Sequence, residues 1–196
     1  MRRVVVLLCL SLLAVTAAAL TQELYYDNGV KGDAILFPHL RATWFTMPFD
    51  GWIITARLYL ADEAGYSSPF DVTFCPRDYD TGGWPDESAA YGTCEYAGGE
   101  AAGEGWIDVD VSSLGIELEA GTEFYFIFDP RPAGGLPYSC HDSRPDDPYD
   151  RKCWRADGGD WQSSGLSAYM MRVVVWDGIG EPIELTSWGD IKALAD

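Results

Sequence analysis

Basic residues are scarce in this chain: 13 Lys and Arg stand against 31 Asp and Glu, a formal net charge of −18. So acidic a surface repels nucleic acid and anionic membrane, which excludes both as partners, and it favours a soluble monomer. Histidine is scarcer still, with only His39 and His141 in 196 residues. Without a CxxC spacing or further histidines, a zinc site has no ligand set. There is no Gly-x-Ser-x-Gly and no serine is marked by its neighbours, so a Ser-His-Asp hydrolase has no signature either. Beyond the first nineteen residues no apolar run approaches the roughly 20 residues that a membrane helix needs. Helical periodicity longer than about two turns is missing before the C-terminus, which argues against a helical domain.

What is present begins with a leader. Arg2 and Arg3 precede the apolar run Val4 to Val15, and Ala17-Ala18-Ala19 supplies small residues for cleavage, so residues 1–19 read as a secretory signal peptide. Cys9 lies mid-run without the small residue before it that lipid attachment requires. The remainder is expected outside the cytoplasm, secreted or on the cell surface. Four cysteines remain there, Cys75, Cys94, Cys140 and Cys153, and an even number in an exported chain predicts two disulfides. Three connectivities are open. Loop closure favours the local pairs Cys75–Cys94 and Cys140–Cys153, each contributing roughly 3 kcal/mol.

The apolar pattern has period two nearly throughout. In Trp52–Leu60, Trp52, Ile54, Ala56, Leu58 and Leu60 share one face and Thr55, Arg57 and Tyr59 the other. Gly105–Val111 alternates in the same way, while Thr122–Phe128 and Tyr169–Trp176 are apolar on both sides, as central strands are. Weaker strands are Leu24–Asp27, Ala34–Phe37, Arg41–Met47, Phe70–Phe74, Ala90–Tyr96, Tyr138–Cys140 and Cys153–Arg155. Turn residues such as Asp27-Asn28-Gly29, Gly82-Gly83 and Asp157-Gly158-Gly159 separate them. The expected fold is an all-β antiparallel sandwich over residues 20–177, followed by a linker and C-terminal tail at 178–196. Ser187 is placed to cap a short helix in that tail, with Trp188, Ile191 and Leu194 on one face.

The order of aromatic motifs carries more. Tyr26-Asp27-Asn28-Gly29 is followed by Ala42-Thr43-Trp44-Phe45-Thr46-Met47-Pro48, Gly105-Trp106-Ile107-Asp108-Val109 and Gly121-Thr122-Glu123-Phe124-Tyr125. Trp154, Gly158-Gly159-Asp160-Trp161 and Met170-Met171-Arg172-Val173 close the series. Across roughly residues 24–177 this resembles the jelly-roll β-sandwich accessory and surface modules of secreted bacterial proteins, which are carbohydrate-binding-module-like. The resemblance implies a non-catalytic accessory or surface domain with jelly-roll topology.

Candidate sites follow from residue type. Sugar rings stack their C–H faces on flat aromatics, so Trp84 in its Gly/Asp loop, Tyr138 and Tyr149 are the expected ligand platforms. Trp52, Trp106, Trp154, Trp161 and Trp176 fall in strands or hairpin edges and are expected to pack. Asp78, Asp80 and Asp86 partly match a calcium loop; Gly82 and Ala89 spoil the helix-loop-helix version and leave a looser structural calcium site. Asp108 and Asp110 share a strand face and are the best carboxylate pair for a glycosidase, but alternating Asp on a solvated strand is the commoner arrangement. The expected function is therefore a secreted, non-enzymatic module that binds a polysaccharide or cell-surface polymer. The alternative is a structural cell-surface protein tethered or sorted through its tail.

Overall fold

The computed structural model describes residues 19–34, 39–61, 69–98, 104–130, 138–143, 151–165 and 168–180. The leader, the tail beyond 180 and Tyr149 lie outside these residues. The strands are β1 (Thr21–Leu24), β2 (Lys31–Ala34), β3 (Leu40–Thr46), β4 (Gly51–Ala61), β5 (Phe70–Asp78), β6 (Trp84–Pro85) and β7 (Gly92–Tyr96). They continue as β8 (Glu104–Asp110), β9 (Glu117–Leu118), β10 (Glu123–Asp129), β11 (Tyr138–Asp142), β12 (Lys152–Arg155), β13 (Gln162–Ser163) and β14 (Met171–Trp176). Two short 3-10 turns, Glu87–Ala89 and Ser112–Leu114, are the helical elements among the described residues.

The expected all-β sandwich is what forms. One seven-stranded sheet runs β1-β14-β4-β11-β2, with β8 and β9 also on β4. The other runs β13-β12-β3-β10-β5-β6, with β7 also on β5. Every strand pairing is antiparallel. The first sheet is organised by β4, whose eleven residues carry β14 along one edge and β8 and β9 along the other. β-Branched and aromatic residues dominate these strands, as a pleated, half-buried surface favours.

The core between the sheets is built from alternate residues. Phe124, Phe126 and Phe128 of β10 point inward with Phe70, Val72 and Phe74 of β5 and Phe45 of β3, and meet Ile53, Ala56, Leu58, Met171, Val173 and Val175. Phe74 stacks on Phe126 with centroids 5.3 Å apart, and Phe70 meets Phe128 edge-on at 5.3 Å. One departure from strict alternation occurs in β4. Val174 pairs with Thr55 but Val175 with Ile53, so Ile54 is the extra residue of a β-bulge. Inward residues therefore change from Ala56 to Ile53, not Ile54, and Trp52 turns outward, where its ring lies 5.7 Å from that of Trp176.

The outer face of the first sheet is held by charge. Arg172 makes a two-pronged pair with Asp27 at 2.9 and 2.6 Å and reaches Glu23 at 3.1 Å. Arg57 grips Asp108 at 2.6 and 2.7 Å and shares Glu23 at 2.6 Å. Trp106 and Tyr25 cover the Arg172 guanidinium, at 4.2 and 4.9 Å from their ring centres. Asp27 is buried in this arrangement and ties the turn after β1 to β14. Replacing Arg172→Met strands that carboxylate, and urea unfolding should show a loss of about 3–5 kcal/mol. The double variant Asp27→Asn with Arg172→Met should lose less than Arg172→Met alone; a single variant as stable as the parent contradicts this account.

Candidate functional site

The second sheet is covered on its outer face as well, by the chain that links β5 to β7. β5 runs past the core edge to Asp78, whose carboxylate accepts the Asp80 N–H at 2.8 Å and the Thr81 hydroxyl at 2.7 Å. Gly82 and Gly83 then take φ values of 100° and 84°, a conformation that favours glycine, and reverse the chain. It returns as β6, with Pro85 beside Arg77 and Trp84 beside Asp78. Asp86 caps the following 3-10 turn, accepting from Ser88 N–H at 3.0 Å and Ala89 N–H at 3.3 Å. The excursion is fastened by the Tyr125 hydroxyl, which donates to the Gly83 carbonyl at 2.7 Å, and by Arg77 Nε, which donates to the same oxygen at 3.2 Å. Beneath it lies a second apolar cluster of Leu40, Ala42, Cys75, Tyr125, Ile127 and Cys153, with Trp44, Trp84 and Trp161 packed against it.

Opposite this excursion, β12 leads through the Gly158 turn to Trp161 and β13. Glu87 clasps the two sides together: its carboxylate receives the two terminal Arg155 guanidinium nitrogens, at 2.6 and 2.8 Å, and the Trp161 indole N–H at 3.1 Å. Arg155 also lies over the Trp161 ring, 5.0 Å from its centre. Between them is an open cleft of about 440 Å³, lined by Thr81, Trp84, Pro85, Arg155, Gly159, Asp160 and Trp161. That volume suits a small ligand or one or two units of a chain.

An alternating stack stiffens the neighbouring rim. Arg77 lies 5.2 Å from the Tyr79 ring centre and 4.2 Å from that of Trp44, and Arg151 lies 3.7 Å from Trp44 and 4.5 Å from Tyr26. Glu123 accepts from Arg77 at 2.9 Å and from the Tyr79 hydroxyl. Each cation–π contact is worth about 0.5–1 kcal/mol at such part-exposed sites, so the row fixes geometry more than it adds stability.

Of the three aromatic platforms expected from sequence, Trp84 lines the cleft. Tyr138 does not join it: it pairs with Ala61 in the first sheet, across the sandwich from Trp84. Trp161, expected to pack at a hairpin edge, forms the second wall of the cleft. Arg155, Glu87 and Asp160 belong to the site too, and nothing in their local sequence marks them. The three candidate metal carboxylates are not gathered. Asp78 and Asp86 are occupied as turn and cap acceptors, and among the described residues no group of three His, Cys, Asp or Glu is placed to hold an ion. On the other sheet, Asp108 is bound by Arg57, and Asp110 is held below the usual carboxylate range by the Ser112 hydroxyl and N–H it accepts.

The four cysteines are unbonded to one another in the structure, and the local pairs Cys75–Cys94 and Cys140–Cys153 are not brought together. Cys94 stands opposite Val72 and packs toward the inter-sheet core, whereas Cys75 is three positions along β5 and faces the outer cluster. Odd separation puts them on opposite faces, out of bonding reach. Cys140 and Cys153 are divided between the two sheets. Burial pushes the Cys75 thiol up to about 12 and that of Cys140 to about 11, and raises Cys153 as well.

No family model and no curated protein matches the chain. Among solved structures, the clostridial cysteine protease Cwp84 after propeptide cleavage is similar, with a TM-score of 0.55 and 12% identity, over 79% of this chain and 40% of that chain. The likeness is one of fold alone, and the present chain spans less than half of that protein's length.

Two measurements test the cysteine arrangement in residues 20–196. Iodoacetamide at pH 8 should label Cys94 first and leave Cys75, Cys140 and Cys153 protected until unfolding; a Cys75–Cys94 crosslink in non-reducing peptide maps contradicts the two-face placement. Because the folded thiol of Cys75 holds its proton longer than an unfolded one, its contribution to stability is full below about pH 8.5. It is lost as pH rises toward the folded value near 12.

Proposed function

We propose that this protein is a secreted or cell-surface, non-enzymatic module that holds a polysaccharide or cell-surface polymer in the Trp84–Trp161 cleft. The observation that carries the reading is the pair of indoles lining one open cleft beside hydroxyl, guanidinium and carboxylate groups. Flat aromatic surfaces take the C–H faces of sugar rings, and the polar neighbours take hydroxyls. The cleft is pre-organised, because Glu87 and Tyr125 hold both of its sides before any ligand arrives. Fixed walls lower the ordering cost of binding, which suits weak, repeated capture of a polymer. A monomer suffices for this task. The Asp108 and Asp110 pair, the carboxylates a glycosidase would need, is committed to an ion pair and a turn.

Retention on insoluble polysaccharides should separate these roles. Trp161→Ala and Trp84→Ala are each expected to weaken retention at least about tenfold, since one aromatic contact is worth roughly 0.5–1.5 kcal/mol beyond its buried area. Trp161→Tyr should keep most of it. Trp106→Ala, on the other sheet, should leave retention unchanged. Equal retention by the Trp84 and Trp161 variants and the parent removes the cleft from the binding site.

A further inference from the structure

Counting Glu87 beside the lining, the cleft has one cation, Arg155, against two carboxylates, Glu87 and Asp160. The cation among the lining residues, Arg155, has its charge paired by Glu87, which takes the two terminal guanidinium nitrogens at 2.6 and 2.8 Å, while its Nε is buried out of a ligand's reach. The Trp161 N–H is directed to the same carboxylate. Asp160, exposed on the lip beside Trp161, has no hydrogen bond or ion pair among the described residues. Asp80, next in the chain to the lining residue Thr81, is exposed with an equally uncommitted carboxylate. Trp84 and Trp161 line the same opening, and an indole face carries the negative side of a ring quadrupole. A net charge of −18 sets the same sign over the whole molecule.

Resting on the carbohydrate reading above, we propose that the ligand is an amino-sugar chain with free amino groups, its ring faces on the tryptophans and an ammonium on Asp160. An ammonium gains from both elements of the site at once, as a charge-assisted hydrogen bond to the carboxylate and as a cation near aromatic faces. A uronate, sulfate or phosphate meets the opposite: no uncompensated cation to pair with, and repulsion from Asp160 and the surrounding field. Neutral sugars keep the stacking and lose the charge. The cleft therefore ranks ligands by charge, with free amine above acetamide and acetamide above carboxylate.

Calorimetric titration of residues 20–196 with three soluble hexamers tests this ranking: glucosamine, N-acetylglucosamine and galacturonate, at 150 mM and 500 mM salt. The glucosamine hexamer should bind about tenfold tighter than the acetylated one, with the advantage shrinking at the higher salt. Asp160→Asn should erase most of that advantage. Glu117→Gln, which removes an equal charge from β9 in the other sheet, should preserve it and so exclude a general field effect. If the acetylated or uronate hexamer binds as tightly as the amine, or if Asp160→Asn keeps the preference, the amine proposal falls. Loss of that binding in Trp161→Ala would leave the carbohydrate cleft standing. Binding of none of the three hexamers overturns the amine proposal, while retention of the parent but not the Trp161→Ala protein on another polysaccharide keeps the broader reading.

Discussion

Strand β10 is buried on both faces, and the rest of the molecule is arranged around that fact. Phe124, Phe126 and Phe128 fill the space between the sheets, while Tyr125 and Ile127 project the other way into the second cluster. A sheet with one solvated face needs only the first of these. The second needs a cover, and the excursion from Asp78 to Ala90 provides it. Full burial of each large apolar side chain is worth about 1.5–3 kcal/mol, which offsets much of the entropy lost in ordering the excursion. The Tyr125 hydroxyl meets a backbone carbonyl of that cover, which satisfies a buried polar group and sets where the loop lies.

The cleft is a consequence of how the cover ends. Among the described residues its side-chain hydrogen bonds to the β12–β13 side are those of Glu87, whose carboxylate takes Arg155 and Trp161. The ion pair is part-exposed and contributes modestly by itself. Its value is geometric, since it holds two indoles from distant parts of the chain on one opening. Electrostatics on the two outer faces thus differ in kind. On the first sheet, Arg57 and Arg172 are shared among Glu23, Asp27 and Asp108, leaving little for a ligand. On the second, the lip retains an uncommitted carboxylate.

Much of the fold was legible. Period-two alternation located β4, β8, β10 and β14 within a residue or two, because burial of one or both faces leaves that period in the sequence. The bulge at Ile54 was not, since one extra residue inverts the face without altering composition. The first strand was displaced: β1 ends at Leu24, where the alternation suggested a beginning, because Asp27 and Asn28 are committed to turn and ion-pair contacts with distant residues; the expected strand Ala34–Phe37 lies mostly outside the described residues. Trp84 stood out as a large aromatic in a Gly/Asp loop. Trp161 did not, because a tryptophan at a hairpin edge has the same local signature whether it packs or lines a cleft. Even cysteine number pointed to staples, yet parity pointed elsewhere: once β5 and β7 are paired, Cys75 and Cys94 belong to opposite faces.

The central claim is that ligand is held between Trp84 and Trp161 on the covered face of the second sheet. Indole N–H resonances of a ¹⁵N-labelled protein, titrated with the soluble oligosaccharide that binds best on a glycan array, test it most directly. The account predicts saturable shifts at Trp84 and Trp161, with Trp52, Trp106 and Trp176 unmoved. Shifts confined to Trp106 or to the Trp52–Trp176 pair would place the ligand on the first sheet and contradict it.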